Sequence, residues 1–281
     1  MKKYISSKLP LLFIIGLAFA TQSCFQDLDQ NPDFNYPEQP APATYSPQKL
    51  ALTFEEEAKD QSNYKINTSV KGGATFVTGK SGKAYQGSSD SYILITPNPA
   101  AYTGDISVRD TIANLGSFTI AFWMKTEQAS AATGIFSISN TKKFWGNLDI
   151  FLEGNASSPD EAFIKLHLYN GVNEKWVETR IAGSIGDWVH LAFRYDATTK
   201  QFDIFKNGEL AVNRDFTGFG QIAYNDMGQI VVGALQFQTD PSLTEATGKQ
   251  DWARNFTGLL DNFYLYNKPI SDADIKTIAQ N

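Results

Sequence analysis

The sequence predicts an all-β protein, a sandwich of two antiparallel sheets. Three observations carry the prediction. The first is the run 188–214, which reads as three successive strands. In its opening strand Trp188, His190, Ala192 and Arg194 alternate with Val189, Leu191, Phe193 and Tyr195, the two-residue period that turns one set inward. After a polar turn at 196–200, Phe202, Ile204 and Lys206 alternate with Asp203 and Phe205. Asn207-Gly208 then marks a hairpin, because a type I′ turn needs positive φ at both central residues. The second observation is a series of short apolar runs separated by Gly, Asn and Pro turns from residue 50 onward. The third is that helical signals are confined to the end of the chain. There Ser271 caps a short segment at 272–279 with Asp272 and Asp274 in its first turn.

Taken in order, residues 50–54 form the first strand and lead into Glu55, Glu56, Glu57 and a polar loop. Residues 72–79 and 82–87 are short strands broken by glycine turns, and 91–95 completes the group. Pro97, Pro99 and Gly104 make 96–116 a loop. Residues 134–139, 147–153 and 162–169 are three further strands, with turn residues at 140–146 and 154–160 between them. Residues 175–180 pair back after Gly171, and 236–255 reads as a long polar loop carrying Trp252.

At this point the sequence resembles a known family. The motif Trp188-Val-His-Leu-Ala-Phe-Arg-Tyr-Asp with Phe205-Lys-Asn-Gly-Glu-Leu is similar to the core of the laminin-G-like, concanavalin A-like jelly roll. Three segments fit in order: 118–125 as an early core strand with Trp123, 228–233 after the hairpin, and 256–275 as closing strand and terminal helix. The resemblance implies a jelly-roll β-sandwich over residues 49–281 with Trp123 and Trp188 in its core. It says little about activity, since one sandwich hosts lectins, glycanases and adhesion modules alike.

Ahead of the domain, Lys2 and Lys3 precede an apolar run at 9–20 that is too short to span a bilayer as a permanent helix. Cys24, the sole cysteine, follows it and excludes an intrachain disulfide. A buried thiol is the bland reading, but the position at the end of an export signal favours a processed one. The arrangement resembles a bacterial lipoprotein signal of the Bacteroidota type, with Thr21 where Leu is usual. It implies a signal peptide at 1–23 and lipidation of Cys24. Asp27 and Asp29 resemble an acidic tag for the outer face of the outer membrane. Prolines at 32, 37, 40, 42 and 47 make 24–48 an extended stalk.

A net charge of −6 without a basic run argues against nucleic acid. Glycanases of the resembled superfamily carry Glu-x-Asp-x-x-Glu, and here Asn147-Leu-Asp149-Ile-Phe-Leu-Glu153 stands nearest. An amide replaces the nucleophile, and Glu153 comes one residue late, a slip expected to turn it to the face opposite Asp149. No nucleophile elbow, zinc pair or phosphate loop accompanies His167 and His190, which read as framework residues. The chain is therefore read as a non-enzyme.

The family resemblance implies a structural calcium ion held by Glu55 after the first strand and Asp261 in the closing one. A plain turn or cap bond is the alternative for Asp261. Sugar binding needs exposed flat rings beside polar groups. Trp145, Trp176 and Trp252 have no framework match, and Tyr169 neighbours Trp176, Asn170 and Asn173. Each could instead lid a sandwich edge. The expectation is a surface lipoprotein that binds polysaccharide beside glycan-uptake proteins; a protein-interaction or adhesion module is the alternative.

Overall fold

The computed structural model describes residues 43–55, 57–97, 102–103 and 106–281. The expected signal peptide, Cys24 and the stalk as far as residue 42 lie outside these residues. Two eight-stranded sheets face each other. The first runs β15 (Glu209–Asp215), β14 (Gln201–Lys206), β13 (Val189–Asp196), β8 (Phe118–Lys125), β18 (Leu259–Tyr266), β4 (Lys83–Gln86) and β3 (Thr75–Thr78). β1 (Gln48–Leu52) also pairs with β18. The second runs β12 (Glu174–Ile181), β11 (Ala162–Tyr169), β10 (Leu148–Leu152), β9 (Ala132–Asn140), β16 (Met227–Val232), β5 (Tyr92–Thr96) and β2 (Asn67–Lys71). A short β17 (Ala253–Asn255) lies parallel to the start of β9.

The meander forms as its pattern dictates. Ala192 faces Phe205 and Phe193 faces Ile204 across β13 and β14, and the hairpin turns at Asn207 (φ 49°) and Gly208 (φ 83°). The inward residues of both sheets make one core. Phe122 stacks on Phe263 at 5.1 Å, and Phe263 meets Phe136 of the opposite sheet at 5.2 Å. The chain enters this core before residue 49. Ser46 N donates to the Tyr64 hydroxyl at 2.9 Å, and Asn267 N donates to Pro47 O at 3.0 Å.

Four local expectations are corrected. Residues 96–116 contain an antiparallel pair, β6 (Tyr102–Thr103) and β7 (Ile106–Ser107), and a helix, α1 (Val108–Ala113), whose capping Ser107 side chain accepts from Asp110 N; the helix's two buried residues, Val108 and Ile112, are too short a pattern to stand out after Pro97 and Pro99. β2 has a polar sequence with only alternate residues half-buried, so it shows no apolar signal. Segment 236–255 is no polar loop throughout: Gln236, Phe237 and Gln238 are buried, and β17 pairs with β9. Trp188 precedes β13 and is half-buried, whereas Trp123 is buried as expected.

The terminal helix α2 (Asp272–Ile278) carries a full capping box between Ser271 and Asp274. It covers the outer face of the first sheet, where Ile275 and Ile270 pack with Ala121, Ala192 and Phe205. Arg194 ties it down through Asp272 at 2.6 Å and Ile270 O at 2.9 Å, with Asp203 at 2.8 Å beneath.

On that outer face His190 is fully buried edge-on to Trp123 at 5.4 Å, and neither ring nitrogen has a hydrogen-bond partner. Burial pushes its imidazole down to about 4. The unfolded chain, titrating near 6.5, takes up this proton first as pH falls. The stability contribution is therefore complete above about pH 6.5 and is lost toward pH 4, by something on the order of 3 kcal/mol. Urea melts across this window should show His190→Phe losing less stability on acidification than the parent. Equal losses would show that another group governs the acid limb.

Candidate aromatic binding face

β10 is buried along its whole length. Leu148, Ile150 and Leu152 enter the sandwich core, so Asp149 and Phe151 project from the outer face of the second sheet. Neighbouring strands add His167 and Lys165 from β11, and Trp176, Glu174 and Glu178 from β12, in register His167↔Trp176 and Lys165↔Glu178. The turn 140–146 and the segment 236–252 fold over this surface. Trp145 stacks on Phe151 at 5.5 Å, meets Trp176 edge-on at 4.9 Å and lies 6.0 Å from Trp252. Trp252 in turn stacks over Phe144 at 6.3 Å. The three tryptophans with no framework match thus meet on one face. Trp145 is half-buried, while Trp176 and Trp252 remain 40% and 44% exposed.

Hydrogen bonds hold the turn that presents Trp145. Asn140 Oδ1 accepts from the amides of Lys142 and Lys143 at 2.9 and 3.0 Å. Gln236 donates to Lys143 O and Phe144 O, both at 2.8 Å. Asn147 donates to Ser139 O at 2.9 Å. Asp149 accepts from Gly146 N at 2.7 Å and from the Ser137 hydroxyl. A Cβ at Gly146 would stand 2.6 Å from the Asp149 carboxylate, so the turn needs glycine there. Beneath the rings, buried His167 lies with Nδ1 3.4 Å from Asp149 and Nε2 3.5 Å from Glu174, and its ring centroid is 4.7 Å from that of Trp176.

Trp145, Phe151, Trp176 and Trp252 form the apolar floor and wall of an open cavity of about 330 Å³. Its polar side is Glu153, Lys165 and Glu178, with Lys165 Nζ 3.4 Å from a carboxylate oxygen of each glutamate. This corrects the expectation for Glu153. An even spacing from Asp149 keeps both on the outer face, as a regular period of two requires. Two carboxylates therefore do approach each other, within about 7 Å, but from different strands, which inspection of one strand could not reveal. The Lys165 ammonium is paired with both carboxylates. What remains is a set of donors and acceptors beside stacked rings, suited to hold hydroxyls against an apolar face. Tyr169 is at the margin and does not line the cavity. Its hydroxyl donates to Gly171 O at 2.6 Å, and the Lys143 ammonium lies 4.4 Å over its ring.

Glu55 and Asp261 meet at a different place, the turn 79–83. β18 changes partner from β4 to β1 through a bulge at Asp261 and Asn262, the latter at φ 48°. Asp261 Oδ2 accepts from Ser81 N at 3.0 Å, and Glu55 Oε1 accepts from Lys83 N at 2.9 Å. Burial pushes the Asp261 carboxyl up, the Ser81 amide pulls it back, and the charge of Glu55 adds to the rise. Asp261 Oδ1 is buried with no hydrogen-bond partner. The all-oxygen donor set and this orphaned atom fit calcium, with carbonyls and water needed to complete its shell. Among the described residues, no three His, Cys, Asp or Glu side chains gather to hold a metal.

The family described as the concanavalin A-like lectin/glucanases superfamily, in its laminin-G form, matches residues 100–276. The chain belongs to this family. Comparison with curated protein sequences finds no match. Among solved structures, domain 4 of the extracellular arabinanase AbnA from Geobacillus stearothermophilus, in complex with arabinotriose, is 18% identical with a TM-score of 0.55; the alignment covers 85% of this chain and 100% of that domain. The binding domain of botulinum neurotoxin DC, in complex with rat synaptotagmin II, is 16% identical with a TM-score of 0.56 over 83% of this chain. The binding domain of paraclostridial mosquitocidal protein 1 is 16% identical with a TM-score of 0.58 over the same share. The match spans about half, 51%, of each of these two toxin chains. These likenesses establish the sandwich fold; the two toxin chains are described as binding domains, and the arabinanase domain as a complex with arabinotriose.

Proposed function

We propose that this chain is a non-catalytic surface lipoprotein that binds a polysaccharide through the outer face of its second sheet and delivers it to neighbouring glycan-uptake proteins. One observation carries the reading: Trp145, Trp176 and Trp252, distant in sequence, converge beside Glu153, Lys165 and Glu178 in an open cavity. Pyranose rings stack on such faces by their C–H side while their hydroxyls reach the polar rim. The arabinotriose seen in the arabinanase domain supports a sugar ligand for the fold. Trp176 and Trp252, exposed at the rim, make the contacts, and Trp145 supports them from beneath.

Affinity electrophoresis in gels containing plant and host polysaccharides should retard the protein. Trp176→Ala and Trp252→Ala should each weaken retardation by roughly tenfold without changing the circular dichroism spectrum. No retardation by any polysaccharide would sink the reading, and release of sugar from a retarding polymer would return the protein to the enzymes.

Membrane attachment belongs to the same reading and rests on the sequence up to Asp29. Diacylation at Cys24 would hold the domain stably at the outer membrane, where a single chain would bind only marginally. Cells fed a palmitate analogue should label the parent protein and leave Cys24→Ala unlabelled; label retained by the variant would refute the anchor.

Calcium is proposed as a structural ion at Glu55 and Asp261. Bound there, it would neutralise the buried Asp261 carboxylate and its neighbour Glu55 and pin the 79–83 turn between β1 and β18. Millimolar calcium should raise the melting temperature by several degrees over the chelated protein, with Asp261→Asn losing that increment. Identical melting in calcium and in chelator would exclude the site.

A further inference from the structure

The charges around the ring face bear on which sugars it would accept. Among the described residues, Lys165 is the only cationic side chain lining the cavity, and it is paired with Glu153 and Glu178. Its side chain is 22% exposed, whereas Glu178 stands 54% exposed at the rim and Glu174, beside Trp176, 63%. Of the cations nearby, exposed Lys249 lines a separate cavity with Ser89 and Asp251, and four others are engaged. Arg180 lies 3.8 Å over Phe163 and 3.4 Å from Glu161. Lys142 is paired with Glu245 at 2.6 Å, and Lys143 covers the ring of Tyr169. Arg254 donates to the carbonyls of Asp251 and Ala253. Buried Asp149 adds another carboxylate beneath Trp145 and Trp176.

A ligand lying on these indoles therefore meets π faces and outward carboxylates, with no unpaired cation among the described residues that line the cavity. Indole faces attract positive charge and repel negative charge, and the carboxylates act in the same sense. Recognition of a uronate or sulfate group needs a free guanidinium or ammonium, and none is offered here. We infer that the face selects glycans without negative charge and prefers those bearing a free amine, so that affinity rises from uronic-acid polymers through neutral sugars to amino sugars. This inference rests on the glycan-binding reading above and names its ligand class.

An immobilised glycan array containing neutral, deacetylated amino-sugar and uronic-acid or sulfated oligosaccharides tests it with the full-length protein. Signals that vanish in Trp176→Ala should come only from the first two classes. Chitosan oligosaccharide should bind about fivefold more tightly than its N-acetylated counterpart, and the gap should close as sodium chloride is raised to about 0.5 M. The double variant Glu174→Gln, Glu178→Gln should erase the gap. Glu209→Gln, which removes a carboxylate at the remote Lys276 pair, should leave it intact. Acidic glycans among the Trp176-dependent signals, or equal binding of the acetylated and free amines, would overturn the charge inference and leave glycan binding standing. An array with no Trp176-dependent signal would overturn both.

Discussion

A strand that is apolar on both sides demands two covers, and that demand organises this molecule. β10 buries Leu148, Ile150 and Leu152 against the first sheet and Phe151 on the other side. A sandwich supplies only the first cover. The second has to be recruited from the loops, and Phe144, Trp145, Phe237 and Trp252 provide it. Because these are large rings on a solvent-facing surface, the cover is incomplete, and its uncovered remainder is the proposed binding face. Site and fold thus come from one packing problem.

Loops asked to do the work of a layer must be rigid, and this accounts for the polar residues buried around them. Asn140, Asn147, Asp149 and Gln236 are almost wholly buried, yet each satisfies backbone groups of the 140–146 turn or of its flanks. The cost of burying them is offset by the hydrogen bonds they complete, and the result is an indole held in one orientation before any ligand arrives. His167 occupies the layer below, between Asp149 and the underside of Trp176.

Much of this was legible in the sequence. Period-two alternation located β13 and β14, turn residues bounded β10 to β12, and Asn207-Gly208 fixed the hairpin. The same logic failed at β2, whose polar edge carries no apolar contrast, and at 236–255, where burial depends on contacts with β9 that are remote in sequence. Trp145, Trp176 and Trp252 were identifiable as rings without a framework role. Their convergence was not, since it depends on the register between β11 and β12 and on the path of the covering loops. Lys165 and Glu178 were missed because their significance is pairwise across strands. For Glu153, simple parity with Asp149 would have sufficed.

The docking of α2 has one further consequence. Helix and Arg194 anchor together close off the back of the first sheet, leaving the ring surface on the second sheet as the open side. Under the proposed reading each chain would be univalent toward a repeating polymer. Strength of capture on a long glycan would then come from the density of chains in the membrane, where many weak attachments to one strand raise the effective concentration of the next.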